Sequence, residues 1–313
     1  MTATRTKNLP PVACAYLAPE GFVDDLIGEI GDKNIIDVFD RLVLSDKKNA
    51  DCVWADNVWL APQWIEIESI GDASKKLKSI QRNWASYGFD HHRRMKLIEE
   101  KLPHVSAKPL KFPTPAPSAP LGSWTMIEPN LILASHACSS LMPNGRYIFD
   151  ENKTEPPNRA YLKLWEALTR LQKYPTAGET CLDLGASPGG WTWVLQSLGA
   201  HVISVDKAPL ADHIAQLPGV QHLQESAFGL DPAKLAPGPI DWLFSDIICY
   251  PERLYRLVQN WRQSGRIKNM LCTIKFQGPT DMNAVKQFMD IPGSSVYHLY
   301  NNKHEVTWVN VQP

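Results

Sequence analysis

The sequence predicts an α/β fold: a mostly parallel seven-stranded sheet with helices on both faces and its last strand antiparallel, preceded by a smaller N-terminal α+β domain. Three observations predict it. Strand-like and helix-like runs alternate from residue 180 onward, a small-residue turn at 185–190 joins the first of those strands to a helix, and only residues 301–304 part the last two strands. So short a link forces an antiparallel hairpin at the sheet edge.

The seven strand-like runs are 180–185, 201–206, 220–224, 240–246, 269–276, 295–300 and 305–311, with helical stretches at 191–198, 209–216, 252–263 and 281–289. The N-terminal half reads differently: strand at 12–17, helix at 22–30, one strand over 35–44, apolar alternation at 63–70, helix at 91–102 and a strand without an assigned partner at 131–137. Pro109, Pro113, Pro115, Pro117 and Pro120 mark a stiff, extended segment at 109–120. The boundary is placed near residue 150, giving a small α+β domain over 1–149 and a second domain over 150–313.

The chain has 313 residues, 44% hydrophobic and 21% charged, with a formal net charge of −1. That composition builds a buried core and argues against coating nucleic acid through bulk charge, while leaving room for a local basic cleft. Six cysteines without a Cys-x-x-Cys pair read as free thiols in a reducing compartment. Arg5 and Lys7 precede an apolar run too short and too proline-bracketed for a signal peptide, so the run reads as a strand. No membrane span and no metal-ligating set are read, and a cytoplasmic protein is expected.

Residues 181–191 read Cys-Leu-Asp-Leu-Gly-Ala-Ser-Pro-Gly-Gly-Trp. Gly185 lets the backbone turn sharply, and Gly189 and Gly190 let a ligand approach main-chain atoms. Dinucleotide enzymes want Gly-x-Gly-x-x-Gly, but the third position here is Ser187 and Pro188 follows it. The Asp183 carboxylate would repel a pyrophosphate and suits an amino group. S-adenosylmethionine fits that environment better than NAD.

In an open α/β sheet, ligands bind beyond the carboxyl ends of the strands. There the apolar runs end in charge: Val-Ile-Ser-Val in Asp206, Trp-Leu-Phe-Ser in Asp246, and Leu-Cys-Thr-Ile in Lys275. The antiparallel last strand begins at the same edge with Glu305. A helix before the first of these strands has an apolar stripe of Ala160, Leu164, Ala167, Leu168 and Leu171, and carries Arg159, Lys163, Glu166 and Arg170 on its other face. Asp206 is placed to bond the ribose hydroxyls of an adenosine ligand. Methyl transfer from a sulfonium needs the acceptor oxygen positioned and deprotonated. A lysine near other positive charge and partly desolvated can act as that base, and a second lysine can stabilise the oxyanion. A Lys-Asp-Lys-Glu set thus suits ribose methylation.

Asn-Arg-Ala-Tyr-Leu-Lys-Leu at 158–164, the loop at 183–191, Ser-Asp at 245–246, Ile-Lys-Phe-Gln-Gly at 274–278 and His-Glu-Val at 304–306 resemble, in order and spacing, the motifs of the FtsJ-type ribose 2′-O-methyltransferases. Within that family, residues 205–210, 241–246 and 299–307 are similar to the branch that methylates 23S rRNA. The resemblance implies a Rossmann-like S-adenosylmethionine-dependent methyltransferase fold and a catalytic tetrad of Lys163, Asp246, Lys275 and Glu305, with Lys275 the base. It implies cofactor contacts at Asp183, Gly185, Ala186, Ser187, Pro188, Gly189, Gly190, Trp191, Asp206, Ser226 and Asp246. The partner implied is RNA, 23S rRNA or a large-subunit precursor, and the front half would be a reduced or diverged ferredoxin-like and THUMP-like region. The chain departs from the family at Asn158, where serine is usual, and at Ser226, where aspartate is usual, with Glu225 beside it.

Lys75, Lys76, Lys78, Arg82, His92, Arg93, Arg94, Lys96 and Lys101, interleaved with Trp84 and Tyr87, could form with Arg159 a phosphate track with stacking groups, or a solvated face around Glu99 and Glu100. The function expected is RNA ribose 2′-O-methylation. Its alternatives are a catalytically silent RNA-binding or assembly module, and a 2′-O-methyltransferase of tRNA or of an RNA cap.

Overall fold

The computed structural model describes residues 9–49, 51–106, 108–235 and 238–312; Arg5 and Lys7 lie outside them. The described residues form two compact units, one of residues up to 109 together with 117–148, the other of 110–116 together with 149–312.

The first unit holds two four-stranded sheets. One has the order β2-β3-β1-β4 and is antiparallel throughout, from β1 (Cys14–Leu17), β2 (Ile35–Phe39), β3 (Leu42–Ser45) and β4 (Asn57–Trp59). The helix α1 (Val23–Ile30) follows β1. The single strand expected over 35–44 is two strands, because Asp40 takes a left-handed φ of 55° and reverses the chain. The other sheet has the order β5-β8-β7-β6, from β5 (Pro62–Glu66), β6 (Trp84–Ser86), β7 (Gly122–Glu128) and β8 (Leu131–Ser135). The strand at 131–137 thereby finds its partners, β5 and β7.

Two helices, α2 (Ile70–Ile80) and α3 (His92–Glu99), share a core with that second sheet. The sequence reading missed α2, although Ser69 accepts a hydrogen bond from the Asp72 backbone N–H as an N-cap should. Leu77 of α2 and Ile98 of α3 pack with Trp84, Trp124 and Ile132. Trp84 and Tyr87 are only 4% and 5% exposed, so they are core residues, not stacking groups on a phosphate track. The Trp84 indole N–H donates to the Leu77 and Gln81 carbonyls, and the Tyr87 hydroxyl donates to Asp40. Lys75, Lys78, Arg82, His92, Arg93, Lys96 and Lys101 remain exposed.

The second unit contains α4 (Tyr161–Leu171), β9 (Thr180–Leu184), α5 (Gly190–Ser197), β10 (His201–Val205), α6 (Asp212–Ala215), β11 (Val220–Leu223), α7 (Pro232–Leu235), β12 (Ile240–Ser245), α8 (Pro251–Gln263), β13 (Ile267–Lys275), α9 (Met282–Met289), β14 (Ser294–Tyr297) and β15 (Glu305–Asn310). Its seven strands run in the order β11-β10-β9-β12-β13-β15-β14, and only β15 opposes its neighbours. The strand order reverses beside β9, which is the topological switch point of a Rossmann-like sheet. The hairpin link is longer than expected: β14 stops at Tyr297 because residues 298–302 fold on themselves, with the Asn302 backbone N–H bonding the Leu299 carbonyl at 2.9 Å. No helix among the described residues is long and apolar enough to cross a membrane.

Register decides what meets at the carboxyl rim. Leu184 ending β9 pairs with Val205 ending β10 and with Ser245 ending β12, so Asp206 and Asp246 leave the sheet at one level. Lys275 ending β13 pairs with Glu305 opening β15.

Candidate active site

Four ionisable side chains converge at that rim. Lys163 Nζ donates to both Asp246 carboxylate oxygens at 2.8 and 2.7 Å and to Glu305 Oε1 at 3.0 Å. Lys275 Nζ donates to the Asp246 carbonyl at 2.6 Å and lies 3.1 Å from its Oδ1. The four side chains are between 9% and 16% exposed, so the cluster is nearly sealed but open to one side. Burial works against the Lys163 ammonium, yet the carboxylates of Asp246 and Glu305 outweigh it and hold that ammonium above the usual lysine range. Lys163 therefore stays charged, bracketed by two carboxylates, while Lys275 shares only Asp246.

Lys163 is not on a solvated helix face. From Tyr161 to Thr169 every residue of α4 is buried, Glu166 entirely so. Glu166 accepts from Arg170 at 2.7 and 3.0 Å, from the backbone N–H groups of Tyr300 and Asn301 at 2.9 and 3.3 Å, and from Asn301 Nδ2 at 3.2 Å. Burial pushes its carboxyl up, and the Arg170 guanidinium opposes that shift. The turn ahead of Glu305 is thus pinned to the helix that carries Lys163.

The glycine turn sits beside this cluster. Gly185 has φ +80°, and a Cβ there would come within 2.6 Å of Ile247 Cγ1, so no other residue fits. Gly189 and Gly190 are closely packed as well. A Cβ on Gly189 would come within 2.7 Å of Ile214 Cγ2, and one on Gly190 would run into Asn158 Oδ1.

The other residues assigned to the cofactor from sequence divide into two groups. Asp183 is 1% exposed, accepts from Thr192 Oγ1 at 2.7 Å and is pushed up to about 7 by its burial. It is buried at the end of β9, with Thr192 of α5 as its hydrogen-bond partner. Ala186 packs against Leu210 and Ile214. Trp191 is 4% exposed and its indole N–H bonds the Ala160 carbonyl at 2.9 Å, tying α5 to the start of α4. Ser187 Oγ bonds the Pro209 carbonyl at 2.8 Å, and the Pro188 carbonyl accepts from the Ala211 N–H at 3.0 Å.

Gly185, Asp206 and Ser226 do line a cavity of about 250 Å³, with Glu225, Phe228, Ile247, Ile248 and Arg253. The Asp206 carboxylate is fixed by the backbone N–H groups of Ser187 at 3.1 Å and Ala208 at 2.9 Å. The Arg253 guanidinium lies 3.8 Å from the Phe228 ring centre at the cavity wall. Sequence reading missed Phe228, Ile247, Ile248 and Arg253; a loop directly after a strand-end aspartate was the available signal.

Residues 156–286 match the model of the FtsJ-like methyltransferase family. That stretch is similar to the FtsJ-like methyltransferases. The match takes in Lys163, the glycine turn, Asp246 and Lys275, and Glu305 joins them by geometry from beyond its end. Three curated relatives are similar to this chain, each called ribosomal RNA large subunit methyltransferase M. That of Halorhodospira halophila is 35% identical over 159 residues, 48% of this chain and 46% of its own. That of Alkalilimnicola ehrlichii is 41% identical over 125 residues, 38% and 34% of the two chains. That of Xanthomonas euvesicatoria pv. vesicatoria is 37% identical over 167 residues, 49% and 47%. The chain thus spans less than half the length of these relatives.

Proposed function

We propose that this protein is an S-adenosylmethionine-dependent RNA methyltransferase that methylates a ribose 2′-hydroxyl, its RNA being 23S rRNA or a large-subunit precursor. One observation carries the proposal: Lys163 Nζ bridges Asp246 and Glu305 while Lys275 Nζ binds Asp246 from the neighbouring strand, beside the Gly185 cavity. The FtsJ-like match and the names of the relatives support it.

The cavity suits that cofactor. A fixed carboxylate at Asp206 would accept from ribose hydroxyls, Ser226 and Glu225 stand at the wall beyond it, and Phe228 and Ile247 supply apolar surface for an adenine ring. When bound, S-adenosylmethionine supplies a methyl group already activated by its sulfonium. The protein must position the acceptor and manage one proton. Lys163, held charged by two carboxylates, fixes their orientation and offers positive charge to a developing alkoxide. Lys275 takes the hydroxyl proton at Nζ. Asp246 orients both lysines, and Glu305 completes the charge balance.

The first unit would act in substrate recognition through the exposed cations of α2 and α3, as a diverged ferredoxin-like and THUMP-like region, and six free thiols suit the reducing cytoplasm. The decisive test replaces Lys275 by Ala. Methylation of RNA from cells lacking the enzyme should fall by about 10²-fold or more with cofactor binding retained; full methylation by the variant would end the proposal. Mapping 2′-O-methyl groups in RNA from a deletion strain identifies the target.

A further inference from the structure

The two most exposed large apolar side chains among the described residues are Ile248, at 76%, and Tyr250, at 66%. Both lie on the short loop between β12 and α8, within four residues of Asp246. Strongly exposed apolar groups gathered at one place mark a binding surface. Four residues of extended chain span at most about 14 Å, so Tyr250 cannot stray far from the tetrad.

The loop's orientation is fixed by its neighbours. Cys249, between the two exposed side chains, is 9% exposed and turned inward, where the charges of Arg253 and Lys275 act on its thiol. Ile247 packs on Gly185, and Ile247 and Ile248 line the 250 Å³ cavity, whereas Tyr250 is not among its lining residues. Tyr250 thus sits outside the cavity assigned to the cofactor, on the loop that passes Lys275. Tyr300, 41% exposed, stands on the turn ahead of Glu305 on the other flank.

The occupant follows from connectivity. A 2′-oxygen offered to Lys275 belongs to C2′, which is bonded to C1′, which carries the base. Whatever ribose reaches the tetrad brings its base to the tetrad's mouth within a few bonds. A base offers a flat π-face and suits an aromatic ring, while the charged groups beside it do not. We propose that Tyr250, flanked by Ile248, is the platform on which the base of the nucleotide to be methylated stacks. This rests on the ribose-methylation function above, since it is the 2′-oxygen that draws the base to this loop. Stacking on a ring face tolerates any base, so the platform positions the nucleotide and leaves sequence choice to other contacts.

The test uses the whole chain and needs no turnover. Fluorescein-labelled hexacytidylate and the same ribose-phosphate chain without bases are compared by fluorescence anisotropy. The wild-type protein should prefer the base-bearing chain by about tenfold. Tyr250→Phe should keep that preference, Tyr250→Ala should erase it, and both should bind S-adenosylmethionine as the wild type does. Equal binding of the two chains by the wild type, no measurable binding of hexacytidylate, a preference that survives Tyr250→Ala, or cofactor binding lost in Tyr250→Ala each overturns the platform. Lys275→Ala, run alongside, should keep the preference while losing methylation. Retained methylation there would overturn the catalytic assignment and leave the platform result standing.

Discussion

Glu166 and Lys163 stand one helical turn apart on α4, and each holds one end of the same segment: Lys163 the Glu305 carboxylate, Glu166 the Tyr300–Asn301 turn that leads to it. Residues three apart on a helix share a face. The helix therefore sets where Glu305 stands.

From that coupling, Glu166→Gln should lower the methylation rate by about tenfold, with little change in cofactor binding. Because the effect runs through Glu305, it should add nothing on a Glu305→Gln background, which corresponds to a coupling of about 1 kcal/mol or more in a double-mutant cycle. Fully additive losses would show that Glu166 merely supports the fold. Asn301→Ala, which removes one donor to Glu166 from a half-buried turn, should reproduce part of the effect in a protein of nearly normal melting temperature.

Trp191 was assigned to the cofactor from sequence, and the structure makes it a brace between α5 and α4. Trp191→Phe keeps a ring beside Phe244, 6.3 Å away edge to face, but removes the indole donor to the Ala160 carbonyl, which still accepts from the Lys163 N–H at 3.1 Å. The expected cost is about 1–2 kcal/mol of stability. Isothermal titration should find S-adenosylmethionine affinity changed by less than about threefold, under 1 kcal/mol. A loss of binding larger than the loss of stability would return Trp191 to the cofactor site.

What was legible in the sequence follows from period and position. Parallel strands buried on both faces read as continuous apolar runs, so a charge closing such a run, as Asp206 and Asp246 do, marks the rim. The hidden features depend on partners far along the chain. Glu166 reads as a surface acid because the groups that bury it, Tyr300 and Asn301, lie 134 and 135 residues away. Trp84 and Tyr87 lie among cations in the sequence, yet their rings point into the core. The glycines of the turn were legible as a tight turn, but whether a ligand or Ile214 occupies the space above Gly189 is decided only by the packing of α6.

The two lysines should differ in what they do for stability. Lys163→Met removes the only cation shown bonded to Glu305 and leaves that carboxylate buried without it, while Asp246 keeps Lys275 at 3.1 Å; the loss should cost about 3 kcal/mol or more. Lys275→Met leaves Asp246 still paired with Lys163 and should cost clearly less, while abolishing methylation as fully. Chemical denaturation of the two variants side by side gives the comparison, and a larger loss for Lys275→Met would contradict it.

Asp183 gives the fold a pH dependence of predictable sign. Burial holds its carboxyl up at about 7 in the folded protein against 3.8 for an ordinary aspartate. A carboxyl raised on folding contributes stability that is whole below its unfolded value and is lost as pH rises through the folded one, so this contribution declines between about pH 4 and about pH 7. Asp183→Asn keeps an acceptor for the Thr192 hydroxyl and removes the titration. Melting temperatures across that range should fall with pH more steeply in the wild type than in the variant, the gap widening toward neutrality in the variant's favour. A variant curve parallel to the wild type would mean that Asp183 is ionised throughout, stabilised by Thr192 in spite of its burial.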